Sequence, residues 1–220
     1  MTEIKNVGII VSKLRKRYKG KISMLGSFGA EKKDPFFMLI STILSARNRD
    51  EVTHPLSVEL FSKLKRPEDF VKVPIGKLEK MIKRSGFFRQ KAKRIKEVSK
   101  IIIEKYDGKV PDTMEDLTAL PGVGKKTAGC VMVYAFDKEE IPVDIHVQVI
   151  SQRLGWSKEK TPDKINADLK ERIPKIYWKW INELLVVHGK EICDTARPKC
   201  RECPIFDECL RIGVDKKFYE

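Results

Sequence analysis

The sequence predicts an all-α fold, on three observations. Apolar residues recur every three or four positions, helix start and stop signals flank those runs, and alternating strand patterns are scarce. Ile4, Val7, Val11, Leu14 and Tyr18 form one apolar stripe, which predicts an N-terminal amphipathic helix. Asp34 followed by Pro35 is a helix-start pair, with proline at the first helical position, and it leads into Phe36–Leu44. Ile95, Val98, Ile102 and Ile103 mark another amphipathic helix, closed by Asp107-Gly108. Asp112 and Glu115 have the spacing of a capping box ahead of Leu117 and Leu120. The one apolar stretch with ambiguous periodicity is Ile141–Ile150. No linker stands out by composition, so the residues alone do not divide the chain into domains.

With 220 residues, 41% hydrophobic and 35% charged, the chain suits one or two small globular domains. Lys and Arg number 45 against 31 Asp and Glu, a net charge of +14. Abundant Lys, Glu and Ile hint at a thermophile, whose highly charged surface would explain the totals. It would not explain the excess, which favours a polyanionic partner such as nucleic acid. No run of about 18 apolar residues exists and Met1–Lys21 has no signal-peptide core. The expectation is therefore an intracellular protein, monomeric, with no membrane partner.

Leu120-Pro121-Gly122-Val123-Gly124-Lys125-Lys126-Thr127-Ala128-Gly129 stands between two helical patterns. Gly122 and Gly124 permit positive φ and close approach of a foreign group, and Val123 between them can anchor the turn in the core. The helix that follows directs its first N–H groups at the turn, an arrangement that binds phosphate. A plain turn between helices is the simpler reading; the complete LPGVG followed by a helix favours the helix-hairpin-helix of non-sequence-specific DNA binders. Lys126 sits near that helix N-terminus, where the dipole disfavours its charged form and favours a nucleophilic amine. Position alone does not separate it from an ordinary exposed helix lysine.

Asp144, eighteen residues on from Lys126, lies within Ile141-Pro142-Val143-Asp144-Ile145-His146-Val147. A carboxylate within an apolar stretch is costly unless paired or functional. Asp144 can cap the next helix, or stabilise a developing oxocarbenium ion, or both. His146 reads as a structural hydrogen-bonding residue. Four of the five cysteines follow the pattern Cys193-x6-Cys200-x2-Cys203-x5-Cys209. Such crowding suits a metal centre, zinc or [4Fe–4S], and the lone C-x2-C favours iron–sulfur. Arg197, Lys199 and Arg201 between the ligands are either solubilising charge or a basic loop for a phosphate backbone. Cys130 reads as a buried core thiol.

These motifs, in this order, resemble the iron–sulfur type of the endonuclease III family of helix-hairpin-helix (HhH-GPD) DNA glycosylases, from about Pro35 to Cys209. The resemblance implies two helical domains with a DNA-binding cleft between them. One is a six-helix domain over residues 28–138; the other is discontinuous, residues 1–27 plus 139–220, and carries a [4Fe–4S] cluster on the four cysteines. It implies a bifunctional N-glycosylase and AP lyase acting on double-stranded DNA that carries a damaged base or abasic site. Lys126 is then the Schiff-base nucleophile and Asp144 the catalytic carboxylate. Ser85-Gly86-Phe87-Phe88-Arg89-Gln90-Lys91 matches the family's wedge loop, with Phe87 where an aliphatic wedge is usual; the alternative has Phe87 in the core and Phe88 exposed. Arg47 replaces the usual glutamine expected opposite the lesion, and as a donor it suits guanine O6 and N7. Ile145 stands where a small hydroxyl residue is usual, and Val149 where an arginine is. Oxidised pyrimidines are the expected substrates. The rivals are a thymine or uracil mismatch glycosylase acting opposite guanine and a non-catalytic iron–sulfur DNA-binding module.

Overall fold

The computed structural model describes residues 4–21, 23–28 and 34–220. The expected domain boundary at residue 28 borders residues 29–33, which lie outside the described ones, as do residues 1–3 and 22 of the expected discontinuous domain. Among the described residues there are helices and no strands. The chain divides into two units, Met24–Lys138 and Met1–Ser23 with Glu139–Glu220, each with its own core.

The mid-chain unit is built around α2 (Pro35–Ser45), whose residues from Phe36 to Leu44 are all buried. Asp34 caps it by accepting from the N–H groups of Phe36 and Phe37, at 2.9 and 3.3 Å, a contact worth about 1 kcal/mol. Around it lie α3 (Asp50–Lys63), α4 (Pro67–Lys72), α5 (Ile75–Met81), α6 (Phe88–Tyr106), α7 (Met114–Thr118) and α8 (Lys125–Tyr134). Among the described residues these are seven α-helices, against six expected; Val73-Pro74 separates α4 from α5, and proline disfavours helix at the residue before it. Edge-to-face rings of Phe36, Phe37, Phe61 and Phe70 fill the space beside α2. At its far end α6 stops on Asp107 and Gly108, both left-handed, which is the C-terminal signal the sequence carries.

In the second unit α1 (Val7–Arg17) packs its buried Val7, Ile10, Val11 and Leu14 with α9 (Ile145–Arg153), α10 (Pro162–Arg172) and α11 (Trp178–Glu191). Of the ambiguous stretch Ile141–Ile150, residues 141–144 have no regular structure and the rest begins α9. No helix among the described residues is long and apolar enough to cross a membrane.

Candidate nucleic-acid and catalytic site

The hairpin forms as α7, a short turn and α8. The cap of α7 is one residue later than the Asp112/Glu115 spacing suggests: Thr113 accepts from the Asp116 N–H at 3.1 Å, and its hydroxyl donates to Asp116 at 2.6 Å. Threonine wins because its extended backbone leaves Oγ1 facing the first turn. Helix α7 ends at Thr118, before Pro121. Leu120 and Val123 are buried, anchoring the turn in the core as expected. Only one of the two glycines is left-handed. Gly122 has φ +74, and a Cβ there would lie 2.7 Å from Arg94 Cδ. Gly124, at φ −90, is the N-cap of α8, and a Cβ would meet nothing within 4 Å. Its place is explained by open space at the helix N-terminus, where the first N–H groups of any helix lack an intrahelical acceptor. Lys126 is the second residue of α8 and is half-buried, whereas Lys125 is exposed. Cys130 is fully buried, as read from the sequence.

In the same unit two exposed side chains meet. Arg47 follows α2 and Phe87 precedes α6; both are left-handed, at φ 54 and 57. Such backbone costs about 1 kcal/mol or more at a non-glycine residue. The Arg47 guanidinium carbon lies 5.3 Å from the Phe87 ring centre, within cation–π range. Phe87 is 54% exposed, and it is Phe88 that packs against the core. The alternative placement of the two phenylalanines is therefore reversed, because the left-handed turn at Phe87 rotates its side chain outward.

In the other unit Asp144 is half-buried at the N-cap of α9 and accepts from the Val147 N–H at 2.9 Å. Ile145 beside it is exposed, and Val149 is half-buried. His146 is not the hydrogen-bonding residue expected. Its Nδ1 is buried without a hydrogen-bond partner, and the ring lies close against Gly189 in α11. A Cβ at Gly189 would stand 2.3 Å from that nitrogen. Gly189→Ala should therefore push α9 from α11 and cost roughly 1–3 kcal/mol, as overpacking does. Thermal unfolding measures this; an unchanged Tm would contradict the packing.

The four C-terminal cysteines line one cavity, walled also by Ile150, Leu154, Ile205 and Val214. Donors surround the sulfurs. Arg153 donates from Nη1 to Cys193 Sγ at 3.2 Å and to the carbonyls of Cys193 and Asp194, and from Nη2 to that of Thr195. The Arg211 N–H reaches Cys209 Sγ at 3.4 Å, and His188 Nε2 lies 3.7 Å from Cys203 Sγ. The other His188 nitrogen pairs with the Tyr18 hydroxyl at 2.8 Å. Burial raises all four thiols, Cys203 to about 12, and lowers His188 to about 4. Among the described residues no three His, Cys, Asp or Glu groups converge into a metal site by themselves; the sulfurs stand round the cavity. Soft sulfur donors, apolar walls and N–H groups directed at sulfur fit a thiolate-bound metal or iron–sulfur group. Arg197, Lys199 and Arg201 are exposed on the loop, which Asp194 folds by accepting from the N–H groups of Ala196 and Arg197.

The profile of HhH-GPD superfamily base excision DNA repair proteins matches residues 40–175. Endonuclease III of Thermotoga maritima is 46% identical over 176 residues, spanning 80% of this chain and 83% of that one. The chain belongs to the endonuclease III family. Endonuclease III of Bacillus subtilis is 39% identical over 177 residues, covering 80% and 81%. Among solved structures, a trapped endonuclease III–DNA covalent intermediate superposes with TM-score 0.85 at 31% identity, covering 96% of this chain and 97% of that one. A thermostable thymine-DNA glycosylase superposes at 0.81 with 27% identity, covering 92% and 94%.

In this endonuclease III homologue three residues near the cysteines have no part in the sequence motifs that mark the site. Arg153 and His188 line the cysteine cavity and Tyr18 pairs with His188 behind it, yet none lies in the cysteine motif. A polar residue inside an apolar helix pattern was the available signal for Arg153 and His188; both are buried. Tyr18 stands 170 positions from His188 and carried none.

Proposed function

We propose that this endonuclease III homologue removes oxidised pyrimidines from duplex DNA and cuts the strand at the resulting site. It is a bifunctional DNA glycosylase and AP lyase of base excision repair. The observation that carries the residue assignment is the hairpin: a buried Val123, a left-handed Gly122 and an open Gly124 present the N-terminus of α8, with Lys126 in its first turn. A DNA phosphate occupies that turn, bound by backbone N–H groups. The lesion nucleotide is flipped out of the stack, at a cost of a few kcal/mol that is least for damaged pairs.

Lys126 Nζ, as the free amine, attacks C1′ of the deoxyribose, and the C1′–base bond breaks with its electron pair leaving on the base, which takes up a proton. Ring opening gives a C1′=N imine with Lys126. Loss of a C2′ proton then drives β-elimination of the 3′ phosphate, and water releases Lys126. The Asp144 carboxylate, at the N-cap of α9, stabilises the positive charge that develops on the sugar. Phe87 fills the space left by the flipped nucleotide, and Arg47 faces the orphaned base. Arg197, Lys199 and Arg201 meet backbone phosphates.

Cys193, Cys200, Cys203 and Cys209 would hold a [4Fe–4S] cluster, which supplies four iron–thiolate bonds that fix the C-terminal loop. Cys203→Ser is expected to lower iron and acid-labile sulfide per chain by roughly tenfold, at least the loss that weakening a metal's surroundings brings. Stoichiometric zinc with no sulfide in the parent protein would replace the cluster reading.

Arg47 supports a second reading, a mismatch glycosylase acting on thymine or uracil opposite guanine, since its donors suit guanine. Base release from duplexes carrying thymine glycol, thymine or uracil opposite each base separates the two. Release of thymine glycol is expected to exceed release of mismatched thymine; the reverse order would establish the mismatch enzyme.

A further inference from the structure

Lys91, in the first turn of α6, is only 4% exposed. Its ammonium donates to the carbonyls of Leu44 and Ala46, both at 2.7 Å, and to Ser85 Oγ at 2.8 Å. Three donors thus meet three acceptors. The two carbonyls lie at the C-terminal end of α2, where a helix leaves carbonyls unpaired and favours a cation. Asn48 completes the knot. Its amide donates to the Leu44 carbonyl at 3.2 Å and Ser85 Oγ at 3.0 Å, and its Oδ1 accepts from the Gly86 N–H at 2.9 Å. The segment after α2 and the segment before α6 are thereby tied through one buried polar cluster. At its two edges stand Arg47 and Phe87, in contact and both left-handed. Burial lowers Lys91 to about 8, so it stays protonated at neutral pH.

We propose that Lys91 is a positioning residue that holds Arg47 and Phe87 as one rigid probe, so that wedge insertion and contact with the orphaned base occur together. This rests on the reading above that both side chains enter the duplex. A buried ammonium is an expensive way to join two loops unless their relative position matters. Misplacing a positioned group by about 1 Å can cost on the order of a hundredfold in rate.

The test uses full-length protein and two substrates. One is a duplex with a paired thymine glycol, read as single-turnover base release. The other is a single-stranded abasic oligonucleotide, read as borohydride trapping, where no base is evicted and none lies opposite. Lys91→Met, of similar length but without donors, is expected to slow paired excision by roughly 30-fold, within that range, and to change single-strand trapping less than about threefold. In an Arg47→Ala/Phe87→Ala background the same substitution should add less than about threefold, since coupled residues are not additive. Asn48→Ala, read the same way, should slow paired excision by about fivefold and serves if Lys91→Met does not fold. Paired excision within threefold of the parent, an equal fall on both substrates, or full additivity with the double variant would overturn the proposal. If Arg47→Ala/Phe87→Ala alone leaves paired excision unchanged, the insertion reading fails first, and the assignment of Lys91 with it.

Discussion

Lys126→Ala is expected to leave a folded protein that no longer cuts DNA at an abasic site. The substitution lies at the second position of α8, where alanine is the best helix former and a positive charge is disfavoured by the dipole. The change in stability should therefore stay within about 2 kcal/mol, the ordinary range for a single substitution. Loss of the amine removes the only group assigned to bond with C1′, so single-turnover base release should fall by roughly a thousandfold or more. Lys125→Ala is the internal control. Lys125 is exposed and one residue earlier, about 100° round the helix. It should alter the single-turnover rate less than about threefold. If Lys125→Ala abolishes cutting and Lys126→Ala does not, the nucleophile is misassigned.

Asp144→Asn separates two tasks that one carboxylate performs. Asparagine keeps an oxygen that can accept from the Val147 N–H, so the cap of α9 survives and stability should change by less than about 0.5 kcal/mol. The negative charge is lost, and excision should slow by roughly a hundredfold or more, the size of other losses of preorganised charge stabilisation. Asp144→Ala should show the same kinetic loss plus about 1 kcal/mol of destabilisation from the missing cap. Chemical denaturation with single-turnover kinetics on both variants measures the two effects. Equal rates for Asp144→Asn and the parent would leave Asp144 with the cap alone.

What sequence could and could not show divides along a physical line. Local signals read well. Asp34-Pro35 starts α2, Asp107-Gly108 ends α6, and Val123 anchors the hairpin, each because neighbouring residues alone fix the backbone. The cysteine spacing brought four sulfurs to one cavity for the same reason. Errors arose where two local choices competed or distant chain decided. Thr113 rather than Asp112 caps α7, a contest between adjacent good caps. Nothing near His146 in the chain announces that its ring lies against Gly189, 43 positions on, with Nδ1 buried and unpartnered. Lys91 was one lysine in a basic chain, and only its burial beneath the end of α2 distinguishes it. Arg47 and Phe87, by contrast, each stand out singly in the sequence; their adjacency comes from tertiary packing.

The proposed chemistry turns on a covalent bond between Lys126 and the deoxyribose C1′. Borohydride reduction during reaction with a lesion-bearing duplex, followed by digestion and peptide mapping of the adduct, tests it directly. One DNA adduct per chain is expected, on Lys126, and none in Lys126→Ala. An adduct on Lys125, trapping undiminished in Lys126→Ala, or base release with no adduct at all would contradict it.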